Sequence, residues 1–141
     1  MEIEAVVEAP TPVARVYDEI RSLDGYPQWI GIVHAVQREA EGVWQVELRG
    51  KVGPFARSKR LRMVRVVDDA PCRAVFERQE TDGRRHAAWR LTASVEEVGG
   101  VSRLTMHLHY GGALFGGGVL EKVLGDQIAA SKEKLLVRLG A

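Results

Sequence analysis

The chain has 141 residues, 45% hydrophobic and 28% charged, which suits one globular domain over residues 1–141 with a single core. Its 20 Lys and Arg against 19 Asp and Glu leave a net charge of +1, which argues against a nucleic-acid surface or an acidic-substrate channel. No apolar run approaches the roughly 20 residues that cross a bilayer. The N-terminus lacks a signal peptide's basic-then-apolar layout, and the single cysteine, Cys72, cannot form an internal disulfide, so a cytoplasmic location is expected.

In chain order, Ile3, Ala5 and Val7 alternate with Glu2, Glu4 and Glu8 and predict a strand. Thr11-Pro12 then starts a helix, Thr11 as cap and Pro12 at the first helical position, with Val13, Val16, Tyr17 and Ile20 on one stripe. Asp24-Gly25 breaks it, and YPQWI reads as a connecting turn. From Ile32 to Gly111, period-two stretches are separated by AEG, VGPFAR, DDAP, TDGR and VGGV, which read as hairpin connections. The residues from Val119 to Leu139 form a helix about 31 Å long at 1.5 Å per residue.

A two-residue turn fixes register, and register fixes which side chains meet. With Gly99-Gly100 as the turn, Val95 meets Leu104, Ala93 meets Met106, Leu91 meets Leu108 and Trp89 meets Tyr110, all on one apolar face. The opposite face pairs Glu96 with Arg103, Thr92 with His107 and Arg90 with His109. Turns at Asp82-Gly83 and Asp69-Ala70 put Phe76 beside Trp89, Arg78 beside Ala87 and Met63 beside Phe76. The expected inward row is then Leu48, Met63, Phe76, Trp89 and Tyr110, covered by Leu120, Leu124, Ile128, Leu135 and Leu139 of the last helix.

The run YGGALFGGGVLEKVLG invites a phosphate-loop reading. Gly111 and Gly116 have Walker spacing, but Gly117-Gly118 stands where Lys and Ser or Thr must reach phosphate and magnesium. The glycines are read instead as a turn from the last strand onto the sheet face, with Leu114 and Phe115 in the core.

A strand ending in EAPTPV, a helix VARVYDEI, LDGYPQWI, six further strands with VELRGKVGPF, and a long closing helix together resemble the helix-grip superfamily. This superfamily includes START lipid-transfer domains and the birch pollen allergen; the chain looks most like bacterial polyketide cyclase/dehydrase proteins and proteins like the G component of carbon monoxide dehydrogenase. The resemblance implies an α+β fold, with a seven-stranded curved antiparallel sheet around a long C-terminal helix and two short helices after strand 1. It also implies an apolar cavity for a lipid, sterol, quinone or aromatic polyketide.

The candidate ligand-binding residues are the inward row with Leu91, Met106 and Leu108; Trp29 and His34 from the connecting segment, which Tyr26 joins; and Leu124, Gln127, Ile128 and Ser131 on the helix. Arg78 is the inward polar group of most interest, because its head can meet a ligand carboxylate or phenolate. The competing reading has it reach solvent at the sheet margin. Arg65 also lands inward in this register, but Val64 and Val66 argue for a bulge there.

His107 and His109 share a strand face without a third metal ligand, and a solvated face is the better reading. No metal or cofactor is expected. The run RSKRLRMVR reads as a solvated face, with transient contact to anionic membrane left open through Arg57, Lys59, Arg60 and Arg62. A non-enzymatic carrier or sensor of a hydrophobic small molecule is the preferred function. A cyclase or aromatase would use Arg78 with Tyr110 or His34. A protein-interaction module would need an exposed apolar patch, hinted at by Val64, Val66 and Val75. Oligomeric state is not legible.

Overall fold

The computed structural model describes the backbone of residues 2–52, 55–111 and 119–140, and the side chains of 2–50, 58–111, 126, 127 and 129–140. The Walker-spaced run 112–118 with Leu114 and Phe115, and the side chains of Leu120, Leu124 and Ile128, lie outside the described residues.

Strand β1 (Glu2–Ala9) leads into helix α1 (Val13–Ile20) and a 3-10 helix (Leu23–Gln28). Six strands follow: β2 (Val33–Ala40), β3 (Val43–Val52), β4 (Phe55–Asp69), β5 (Arg73–Arg78), β6 (Trp89–Val98) and β7 (Val101–Tyr110). Helix α2 (Val119–Leu139) closes the chain. The strands form one antiparallel sheet in the order β1-β7-β6-β5-β4-β3-β2, the α+β architecture expected from the sequence. Outer strand β2 breaks its ladder with β3 twice, between Val33 and Ala35 and between Arg38 and Ala40.

The β6–β7 hairpin has the expected register, from Val98 opposite Val101 to Trp89 opposite Tyr110. Gly99 and Gly100 both take positive φ, 59° and 84°, which a two-residue turn matched to strand twist requires.

Two other registers need correction. Met63 pairs with Arg78, and Phe76 with Arg65, because residues 70–72 rather than a two-residue turn connect β4 to β5 and the ladder shifts between Arg65 and Val67. Phe76 also pairs with Leu91 instead of Trp89, because 79–88 forms a long connection and not a tight turn at Asp82-Gly83. The error in the Met63 and Phe76 pairings is two residues. An even slip leaves every side chain on its own face, so the inward set survives although the row does not.

Two features near the N-terminus also differ. Pro12, not Thr11, occupies the cap position of α1, with extended ψ of 144° and no side-chain cap bond, while the Thr11 carbonyl accepts a hydrogen bond from Ser102. Asp24-Gly25 does not interrupt structure. It lies inside the 3-10 helix, where Ser22 Oγ accepts from the Asp24 amide and Leu23 and Tyr26 are buried.

The core lies between the inner sheet face and the helices. Val16, Tyr17 and Ile20 of α1 are buried as their stripe predicts, and Leu135 and Leu139 seat the end of α2. Phe76 is fully buried in edge contact with Tyr26 and Trp44, at centroid distances of 6.3 and 5.7 Å.

Candidate functional site

A cavity of about 190 Å³ opens between the sheet and α2. Alternation places its walls: Ile3 and Val7 from β1, Val46 and Leu48 from β3, Leu61 and Met63 from β4, Trp89 and Leu91 from β6, and Leu104, Met106 and Leu108 from β7. The connecting segment adds Tyr26, Trp29, Ile30 and Ile32, and α2 adds Gln127, Ser131, Lys132 and Leu135. β5 contributes no wall, because Tyr26 and Trp44 cover Phe76 there.

Of the candidates named from sequence, Leu48, Met63, Trp89, Leu91, Met106, Leu108, Trp29, Gln127 and Ser131 come together around this space. Phe76 and Tyr110 are buried outside its lining, Tyr110 against Trp89 at a 4.5 Å centroid distance. Burial raises the Tyr110 phenol above its ordinary pKa, with nearby Arg78 opposing that rise. His34 is exposed on the irregular stretch of β2, 3.8 Å from Glu47. Leu124 and Ile128 fall on side chains outside the described residues.

Arg78 is partly buried and committed. Its Nε donates to Glu80 at 2.7 Å, Nη1 reaches the Ala87 carbonyl at 3.3 Å, and Nη2 lies 3.2 Å from His86 Nδ1. His86 Nε2 in turn meets Asp82 at 2.9 Å. The guanidinium therefore holds the 79–88 connection and is absent from the cavity wall. Arg65 does face inward, but at the far end, where it lies over the Trp44 ring at 5.6 Å and donates to the Arg21 carbonyl. Arg78, Tyr110 and His34 thus form no converging acid–base set in the cavity.

Sequence reasoning missed the walls from β1, from Val33 and Val36, and from Leu61 and Leu104. The signal was present in part: Ile3, Ala5 and Val7 form an apolar strand face, but nothing local says that β1 pairs with β7. Gly31 was also missed. A Cβ there would stand 2.2 Å from Gln127 Oε1, so a side chain at 31 would displace the Gln127 amide from its present position.

On the outer face, Glu2 of β1 meets both His107 and His109, at 2.9 and 2.6 Å. Bonding to His109 and the charge of both imidazoles lower the Glu2 pKa. Among the described residues no group of three or more His, Cys, Asp or Glu could hold a metal ion, and no helix is long and apolar enough to cross a membrane.

A family model described as polyketide cyclase / dehydrase and lipid transport matches residues 1–140. The chain belongs to that family. Solved structures of this family's fold include a START superfamily protein from Mycobacterium smegmatis, 14% identical with a TM-score of 0.73, where 99% of this chain covers 97% of the other. A conserved protein from Geobacillus kaustophilus gives 12% identity, a TM-score of 0.76, and coverage of 99% and 95%. The Zhui aromatase/cyclase from Streptomyces sp. R1128 gives 16%, 0.64, and 99% and 93%. At these identities the likeness shows the helix-grip fold alone. No curated relative matches in sequence.

Proposed function

We propose that the chain binds a hydrophobic small molecule, a lipid, quinone or aromatic polyketide, between the sheet and α2, and acts in the cytoplasm as its carrier or sensor. The observation that carries this reading is the cavity, with walls of aliphatic, thioether and aromatic side chains and, among the described lining residues, the polar Gln127, Ser131 and Lys132 of α2. Apolar surface of this kind favours burial of a ligand at about 25 cal/mol per Å² removed from water. The family's described scope spans both catalysis and transport. The carrier reading is preferred to a cyclase because Arg78 is held by Glu80 and His34 is outside the cavity. An interaction module is less well supported, since Val75 is fully buried and the exposed large hydrophobics among the described residues, Val6, Val66 and Val137, lie on three different elements.

The test is native mass spectrometry of protein purified from its own cytoplasm, with extraction of what it carries, alongside Leu108→Trp. The added indole should fill the space between β7 and α2. The expected result is a stoichiometric apolar compound on the wild type and at least about tenfold less on the variant, whose melting temperature stays within a few degrees. No bound compound, together with no thermal shift across a panel of lipids, quinones and polyketides, overturns the reading.

A further inference from the structure

We propose that the cavity encloses hydrocarbon alone, so that it takes an alkyl or isoprenoid chain whose oxygens sit at one end, outside, and rejects a ring system oxygenated around its perimeter. This rests on the cavity reading above and narrows it. Among the described lining residues, the polar groups are turned away from the space or shielded from it. The Tyr26 hydroxyl donates to the Ile20 carbonyl at 2.8 Å, and Ser131 Oγ donates to the Gln127 carbonyl at 2.5 Å within its own helix. The Gln127 amide oxygen lies against Gly31. The Nε1 atoms of Trp29 and Trp89 each expose less than 1 Å², so these indoles offer the cavity their carbon faces. Lys132 contributes its methylene stem, because the surface of the cavity is carbon almost throughout.

A wall of this kind selects by what it withholds. A hydroxyl or carbonyl carried inside gives up its water and meets no partner, which weakens binding. A bridging water would itself need two or more polar partners, and the described wall supplies none. The ligand that avoids both costs keeps its oxygens together at one end. Alkyl and isoprenoid chains are built that way, whereas an aromatic polyketide carries oxygen on several sides and buries some of it in any orientation.

The probes are dodecanoic acid, 12-hydroxydodecanoic acid and 2-hydroxydodecanoic acid, measured by calorimetry below their micellar concentrations. The 12-hydroxy acid is polar at both ends, so turning it round still leaves a polar end inside. It is expected to bind at least about tenfold more weakly than dodecanoic acid, the effect of one buried hydroxyl without a partner. The 2-hydroxy acid, whose added group sits beside the carboxylate, should stay within about threefold. A 12-hydroxy acid within about threefold of dodecanoic acid, or a 2-hydroxy acid weakened as much as the 12-hydroxy acid, overturns the proposal and leaves the cavity reading standing. Folded Leu108→Trp should bind dodecanoic acid at least about tenfold more weakly; undiminished binding places the chain elsewhere and overturns the proposal. Where that variant does not fold, the wild-type series decides. Binding of none of the three also overturns the proposal, and the cavity reading then stands or falls on the native mass spectrum.

Discussion

The two ends of the sheet's inner face are built from similar residues and finished differently. At the closed end, Tyr17, Tyr26, Trp44 and Phe76 fill the space, and each polar tip is satisfied: the Tyr17 hydroxyl by Asp68 and the Arg73 carbonyl, the Tyr26 hydroxyl by the Ile20 carbonyl, and the Trp44 indole by Asp24. At the open end, Ile3, Leu91, Met106 and Leu108 stand around a void, and the indoles of Trp29 and Trp89 are unsatisfied among the described residues. Apolar patterning alone therefore does not separate a filled core from a cavity. The aromatic tips of the filled end are the paired ones.

Truncation should expose that asymmetry most strongly at Phe76. Phe76→Ala removes a fully buried ring from the closed end and is expected to cost about 3–5 kcal/mol, lowering the melting temperature by more than about 10 °C. Leu108→Ala at the open end should cost about a third of that, because one side of Leu108 already borders empty space. Equal losses in calorimetric melts would erase the proposed distinction.

Next in size is Tyr17→Phe. It removes the hydroxyl that reaches Asp68 and the Arg73 carbonyl, an expected loss of about 1–2 kcal/mol by denaturant titration. A smaller effect tests the closed end through pH. The Tyr17 hydroxyl, and then Arg21, hold the Asp68 carboxyl below its ordinary pKa in the folded chain. Because the folded value is the lower one, this stabilisation is complete above the unfolded value near pH 4 and is lost as pH falls through the folded value. The stability gap between wild type and Asp68→Asn should therefore narrow as pH drops from about 5 to 3. A gap that is flat or widening over that range would show that Asp68 is not coupled to folding in this way.

Face was legible in the sequence where partner was not. The Gly99-Gly100 turn fixed one hairpin residue by residue, because two glycines at positive φ leave one tight geometry. Asp82-Gly83 looked equivalent but belongs to a long connection, where Asp82 accepts from the Arg84 amide and pairs with His86. Arg78 was correctly placed inward, yet its fate turned on Glu80, two residues beyond and on the same face if the strand continued. That local acid was the readable clue. The β1–β7 pairing that brings Ile3 against Leu108 and Glu2 beside His109 joins residues more than a hundred positions apart, and no short pattern announces it.

The interrupted ladder of β2 has a consequence for crowded solution. A sheet that ends in two free rims can grow by accepting a strand from another copy of itself. On one rim, two irregularities and the exposed stretch ending in Gln37, Arg38, Glu39 and Ala40 leave no long flat template. The other rim presents Glu2, Glu4 and Glu8. Two copies of this second rim brought together would set acidic strand against acidic strand, which disfavours edge-to-edge pairing there.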